Sequence, residues 1–449
     1  MDRIALFWFR RDLRLEDNAG LHHALQSGLP VLPLFIFDTN ILEALKDDAD
    51  PRVTFLHDQV SELKADLDSR GGTMLVRHGD PLSVWRGLLD DLNVAAVYTN
   101  RDYEPYAVRR DEAVSTLLRE RGVAWNTSKD QVIFEHGEVL KKDGTPYTVF
   151  TPYSRRWRER LQSRRDGAGP DTSHYLRSYP SEACLDALLK RPPEPLPTLE
   201  QMGFQRSTLA IPAKVVTQGL IRRYDQTRDL PAIRGTSRLG IHFRFGTISI
   251  REKARKAASL NDTFVNELIW RDFYAQILAA FPRVATRSFR PEYDYIEWRN
   301  DEDDFGRWCA GETGYPIVDA GMRELNRSGW MHNRVRMITA SFLTKHLLID
   351  WRWGEAYFAE KLLDYELASN NGGWQWAAGS GTDAAPYFRI FNPYTQQKKF
   401  DPDLKYVKKW VPEYGNSRYP APIVDHKVAR QRCLEVYKAG IARGKQALL

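Results

Sequence analysis

The sequence predicts an N-terminal α/β domain with a doubly wound, parallel five-stranded sheet, followed by an all-α C-terminal domain. Two observations carry this. Up to about residue 128, short apolar runs alternate with stretches of three- and four-residue apolar spacing, the pattern of strands joined by crossover helices. From about Ile211 onward only the helical spacing remains.

Ile4 to Phe9 is an unbroken apolar run and the first strand. Arg10-Arg11-Asp12-Leu13-Arg14 follows it, and Asp17-Asn18 starts a helix. Val31 to Phe37, ending at Asp38, is the second strand, and Thr54 to Leu67 has helical spacing. Thr73 to Val76 is the third strand, Pro81 to Leu92 a helix, Val94 to Tyr98 the fourth strand, Tyr106 to Arg121 a helix, and Val123 to Trp125 the fifth strand. Residues 1–128 are therefore one domain, and ligands of such sheets bind at the carboxyl ends of the strands. No Gly-x-Gly-x-x-Gly follows the first strand and no Gly-Lys-Ser/Thr loop occurs, which excludes the two ordinary nucleotide fingerprints.

Residues 129–197 form a connector of weaker pattern. It holds an arginine-dense helix, Ser154 to Arg165, with six arginines between Arg155 and Arg165. A solvated basic face is the first reading of these and a nucleic-acid contact the second. The proline-rich run Arg191 to Pro197 marks the domain junction. In the domain spanning 198–449, helices are expected over Val215 to Tyr224, Ile250 to Ala258, Thr263 to Phe281, Pro316 to Ser328, Trp330 to Lys345 and Trp353 to Leu363.

Composition sets the class. With 42% hydrophobic and 28% charged residues, the 449-residue chain reads as a soluble globular protein. No run approaches the roughly 20 apolar residues of a membrane helix, and Met1-Asp2-Arg3-Ile4 has no signal-peptide architecture. Cys184, Cys309 and Cys433 form no metal or redox motif, which fits a reducing cytoplasm, no metal and no disulfides. A net charge of +6 is compatible with a polyanionic partner without requiring one. Tryptophan is the outlier: nine of the 13 lie in the C-terminal half.

The chemistry concentrates between Leu362 and Phe391. Trp374 and Trp376 follow an Asn370-Asn371-Gly372-Gly373 turn, with Asp364 and Glu366 just upstream. Glycines that let a flat ligand approach the main chain, carboxylates, amides and large aromatics suit a heteroaromatic ring with a ureide edge; a helix end with core tryptophans is the plainer alternative. Glu267, Trp270 and Arg271, at i, i+3 and i+4, share one helical face. In Trp330 to Met337, Asn333 and Met337 would face one way with Arg334 turned aside. Thr236-Ser237-Arg238-Leu239-Gly240 offers hydroxyls, backbone donors and an arginine, which suit a pyrophosphate or simply start a helix. Lys398, Lys399, Lys405, Lys408 and Lys409, interleaved with Phe400, Tyr406 and Trp410, track a phosphate backbone or form a solvated face.

Phe7 to Arg14, Thr313-Gly314-Tyr315-Pro316-Ile317-Val318-Asp319-Ala320, Trp330 to Arg334 and Asn370 to Trp376 together resemble the class I cyclobutane pyrimidine dimer photolyases of the photolyase/cryptochrome family. The resemblance runs from Ile4 to about Tyr437. It implies an antenna domain, a connector and a helical domain holding FAD, active as FADH⁻, which splits pyrimidine dimers in UV-damaged DNA; a cryptochrome-type light receptor is the alternative. It also implies a cytoplasmic monomer with no membrane partner. By resemblance, Tyr224, Thr236, Ser237, Arg238 and Leu239 hold the phosphates and ribityl chain. Arg336 pairs with Asp364 beside the flavin, which Glu267, Arg271, Asn333 and Glu366 also border, and Asn370 faces its N5. Glu267, Trp270, Asn333, Met337 and Trp376 form the dimer pocket. Arg228, Arg271, Arg334, Arg389 and Gln396 contact DNA, and Trp374, Trp351 and Trp298 form the electron-transfer chain. Glu366 and Tyr365 depart from the family's usual aspartate and glycine, and Gly240 stands where serine is common. Tyr106-Ala107 and Ala285-Thr286 replace pairs found in folate-binding relatives. Asn100 to Tyr106 resembles deazaflavin- or flavin-binding members, which implies an antenna site using Arg52, Asp102 and Glu104.

Overall fold

The computed structural model describes residues 3–163 and 173–449. Arg164 and Arg165, counted above with the arginine-dense helix, lie outside the described residues. The chain divides into two compact units: Met1–Val139, Arg156–Val215 and Leu239–Ser259 make the first, and Leu140–Arg155, Val216–Arg238 and Leu260–Leu449 the second.

The first unit is the expected parallel five-stranded sheet, in the order β3-β2-β1-β4-β5. The strands are β1 Ile4–Phe9, β2 Val31–Asp38, β3 Leu75–Gly79, β4 Val94–Asn100 and β5 Ala124–Ser128. Side chains alternate across the pleat. Ala5, Phe7 and Phe9 join Val31, Phe35 and Phe37 in one core, while Ile4, Leu6 and Trp8 join Leu32, Leu34 and Ile36 in the other. That is why both strands read as continuous apolar runs. Three crossover helices begin on an acid-proline pair: Asp50-Pro51, Asp80-Pro81 and Glu104-Pro105. Proline is preset for the first helical position, and Asp50 and Asp80 cap their helices. Strand β3 starts two residues later than expected. The Thr73 hydroxyl donates to Asp68 (2.7 Å) and accepts from Lys64 (3.2 Å), which ties it to the preceding helix end.

The second unit is helical. The Leu367–Ala378 helix packs against three others, Asp262–Ala280, Asn333–Ser341 and Trp351–Lys361. This corrects the expected Asn-Asn-Gly-Gly turn, since all four residues lie inside a helix. Packing overrides the glycine penalty. A Cβ on Gly372 would run into the Tyr274 ring, so the missing side chain lets two helices approach. Gly372→Ala is therefore expected to destabilise the protein by about 1–3 kcal/mol through overpacking, a loss that a urea titration measures.

Other boundaries also moved. The Trp330 to Lys345 helix begins at Asn333, where His332 Nδ1 caps the Arg334 N–H (3.2 Å), and its end widens into a π-helical turn, Phe342–His346. Val215 to Tyr224 is two short helices, Gln218–Arg222 and Tyr224–Thr227. The 22-residue His426–Ala447 helix was not among the expected elements.

Candidate active site

The Asp262–Ala280 helix starts at Asn261, whose side chain accepts from the Thr263 and Phe264 N–H groups. Its apolar face, with Phe264, Val265, Leu268, Ile269 and Phe273, is buried. Glu267, Trp270 and Arg271 are left to the other side, as the spacing predicts. Arg228 donates to Glu267 at 2.5 Å. Burial pushes the Glu267 carboxyl up and Arg228 pulls it back only in part. The side chain still keeps 30% of its accessible surface, so this burial is one-sided. The Trp270 ring lies parallel to Phe150 with centroids 3.6 Å apart. Arg271 grips Glu366 with two bonds, Nε at 3.0 Å and Nη2 at 2.7 Å. The longer acid thus serves here as an arginine anchor.

On the Asn333–Ser341 helix, Asn333 is exposed and Met337 half-buried. Arg334 is not turned aside. It donates to Asp229 at 2.8 Å and to the Met337 sulfur at 3.6 Å, and its guanidinium covers Phe400. The side chain is long enough to fold back one turn toward Met337. Arg336 pairs with both oxygens of Asp364 at 3.0 and 2.9 Å, as expected.

Asn370 donates to the Glu355 carboxylate (2.9 Å) and to its backbone carbonyl (3.2 Å). Sequence reasoning missed Glu355. The signal was there, since it stands four residues after Trp351 on the same helical face. Burial pushes its carboxyl up, and Asn370 moderates this. Trp374 is buried against Phe358 and Trp308, and a Cβ on Gly354 would collide with it. Gly354 lies one turn beyond Trp351, which opens that helix, so one helix backs both tryptophans. Trp298 and Trp376 pack half-buried on the same cluster, and Trp298 meets the Tyr437 ring edge-on.

Tyr224 is buried and stands edge-on to Phe264. Thr236 and Ser237 are half-buried. Arg238 has a left-handed backbone (φ 54°), uncommon for a non-glycine residue, and its guanidinium sits 3.9 Å over Trp330. Leu239, next in the chain, is buried in the first unit. Arg389 is exposed and Gln396 half-buried. Of the expected DNA-contacting side chains, Arg228, Arg271 and Arg334 already hold carboxylates. Each guanidinium has five donors, so a second edge can face an anion.

The first unit carries a separate cluster, where the order turns from β1 to β4. Arg11 donates to Asp102 (3.1 Å) and Glu104 (3.2 Å), and Arg244 to Glu104 (2.6 Å). Burial raises the Asp102 carboxyl, but Arg11 and Arg244 outweigh it and hold it well below the usual range. Arg52 is held instead by Asp50, which caps its own helix. Among the described residues no cluster of His, Cys, Asp or Glu could hold a metal ion, and no helix is long and apolar enough to cross a membrane.

Residues 5–172 match the DNA photolyase family model, and residues 264–418 match the FAD binding domain of DNA photolyase. The deoxyribodipyrimidine photo-lyase of Halobacterium salinarum is 39% identical, over 98% of this chain and 100% of that protein. A bacterial class III photolyase from Agrobacterium tumefaciens superposes with a TM-score of 0.83 at 33% identity, covering 98% of both chains. An archaeal photolyase from Sulfolobus tokodaii, solved with two FAD molecules, gives 0.76 at 35% identity, covering 97% of this chain and 99% of that one. Matched nearly end to end by photo-lyases, and helical where the FAD-binding model falls, this chain belongs to the DNA photolyase family.

Proposed function

We propose that this chain is a deoxyribodipyrimidine photo-lyase, an enzyme of light-dependent DNA repair that splits cyclobutane pyrimidine dimers, and that the second unit holds both FAD and the dimer. The observation that carries this is the joining of two sequence-distant motifs: the Glu267-Trp270-Arg271 face bonds through Arg271 to Glu366, which opens the Asn370 helix.

The residues present fit FAD. Gly373 shares a helical face with Asn370 and has nothing within 4 Å of where a Cβ would stand, so a flat ring can approach the backbone there. His332 Nδ1 is used as an acceptor, which leaves Nε2 as a donor that is buried without a protein partner. That donor suits an anionic or carbonyl group. Bound and reduced, FAD would supply light-driven one-electron chemistry for opening the cyclobutane ring, with the electron returned and no net oxidation.

The chain's own residues bind, orient and set the field. Tyr224, Thr236, Ser237 and Arg238 would hold the phosphates and ribityl chain, and the Arg336–Asp364 pair would sit beside the flavin ring. Asn370, fixed by Glu355, would present its amide to N5. A dimer is reached only by flipping it out of the duplex. Trp270, Trp376, Asn333 and Met337 would then line its pocket. Glu267, its carboxyl raised by burial, would hydrogen-bond the pyrimidine edge. Trp374, Trp351 and Trp298 would reduce the flavin from the protein side. Asp102 and Glu104 support an antenna site of the deazaflavin or flavin type in the first unit, and Arg52 is the weakest member of that set.

Charge and shape are expected to separate in binding. Phosphate contacts carry little lesion information, and each neutralised phosphate adds about 0.9 to the salt slope. Arg334→Ala is therefore expected to weaken damaged and undamaged DNA alike and to flatten the slope by about one. Trp270→Ala is expected to spare undamaged DNA and lower dimer affinity roughly tenfold or more, the range of aromatic–base stacking. Dark binding of both DNAs across a salt series measures this. An equal loss on both DNAs with Trp270→Ala would make Trp270 a fold residue and remove it from the pocket.

A further inference from the structure

Residues Leu140–Arg155 belong to the second unit although they follow β5 closely in sequence. They form a strap tied down from Tyr147 to Ser154. Gln276 donates to the Tyr147 carbonyl (3.2 Å) and Thr382 to the Thr148 carbonyl (2.5 Å). The Phe150 N–H donates to Asp383 (3.1 Å), and Ser154 to Asn266 (3.4 Å). Asp383 has a left-handed backbone (φ 48°), a conformation a non-glycine residue keeps only when its surroundings hold it there.

Phe150 is buried in this strap, as are Tyr153 and Ser154, and it is the one whose ring stacks on Trp270. Its ring and that of Trp270 are 3.6 Å apart and 2° from parallel. Aromatic pairs left to themselves prefer offset or edge-on packing, because stacked quadrupoles repel. Trp270 meets Phe273 edge-on, 79° from parallel, and Tyr274 at a tilt of 32°. The nearly eclipsed stack on Phe150 is therefore imposed by the strap's backbone anchors. It seals one face of an indole that is otherwise only half-buried.

We propose that Phe150 is a positioning residue for lesion recognition: it holds the Trp270 ring in one orientation, so that the opposite indole face meets a flipped-out pyrimidine dimer without first having to be ordered. A side chain fixed before binding loses less rotamer freedom on binding, which raises affinity for the ligand it faces and leaves other contacts alone. This rests on Trp270 being a wall of the dimer pocket.

The test is dark equilibrium binding of the full-length, FAD-loaded protein to a dimer-containing duplex and its undamaged counterpart. Phe150→Leu keeps most of the volume and loses the flat face; Phe150→Met serves should the leucine variant not fold. Dimer affinity is expected to fall about three- to tenfold, the range an aromatic pair spans, with undamaged-DNA affinity, melting temperature and flavin absorbance unchanged. Phe150→Tyr is expected to restore dimer affinity. Adding Phe150→Leu to Trp270→Ala is expected to cost nothing further, because the ring to be positioned is gone. If Phe150→Leu binds the dimer like wild type while Trp270→Ala does not, or if it weakens both DNAs equally, Phe150 only packs and the proposal is overturned. If Trp270→Ala itself loses no selectivity, the pocket reading falls and the proposal with it.

Discussion

Asp130→Ala is expected to destabilise the protein by about 3–5 kcal/mol, the range for stranding a buried charge. The Asp130 side chain is fully buried and takes bonds from Arg14 (2.8 and 2.7 Å), Arg251 (2.8 Å) and the Ala19 N–H (3.3 Å). Burial raises its carboxyl, but the two arginines outweigh this and hold it below the usual range. Arg251 also bonds Asp17, whose carboxylate accepts from the Ser249 hydroxyl (2.6 Å) and the Tyr179 N–H (2.9 Å). This network joins the Leu239–Ser259 segment to the sheet within the first unit. Removing Asp130 leaves Arg14 buried with backbone acceptors alone, at the Gly246 and Asp17 carbonyls. Urea unfolding checks the size of the loss. A change under about 1 kcal/mol, the level of an exposed pair, would mean that water reaches the network.

Acid is expected to produce the second large effect. Burial holds His332 down to about 4 and His346 to about 3, both far below the ordinary 6.5. The folded state therefore binds their protons less readily than the unfolded state. Their contribution is complete above pH 6.5 and is lost as the pH falls toward those values. For His332 alone the full loss is roughly 3 kcal/mol. Asp319, Glu324 and Glu355, each raised by burial, act in the opposite sense and gain from acid. The fall from the histidines is thus expected to set in between pH 6.5 and pH 5, as the unfolded state takes up their protons. Thermal melts across that window measure it. His346→Gln, whose amide keeps a hydrogen-bonding group toward His426 and removes a titrating one, is expected to flatten the curve. A variant that tracks wild type through the window would show that His346 takes up its proton without penalty.

The sheet was legible because strands buried on both faces read as plain apolar runs of the right length, and β1 ends where the sequence places its end. The Glu267-Trp270-Arg271 face was legible for the same kind of reason: helical spacing fixes which side chains share a side. What could not be read depends on partners distant in sequence. Arg14, Asp130 and Arg251 span more than half the chain and carry no local signal. The helical state of Asn370 to Gly373 contradicts local propensity, and it holds because Tyr274 fills the space that Gly372 leaves. Glu355 and Phe150 have no unusual neighbours in sequence, and only the packed helices bring them to Asn370 and Trp270. The pairings Arg271–Glu366 and Arg334–Asp229 likewise join residues far apart in sequence.

The most direct test of the account is repair itself. A dimer-containing oligonucleotide is mixed with the purified protein carrying chemically reduced FAD, and absorbance near 260 nm is followed in the dark and under blue light. Splitting the cyclobutane ring restores two pyrimidine double bonds, so absorbance is expected to rise only under illumination and to stop when the dimer is consumed. An unchanged absorbance under illumination, with reduced flavin and bound DNA both verified, would contradict the account and leave a light-absorbing flavoprotein without repair activity.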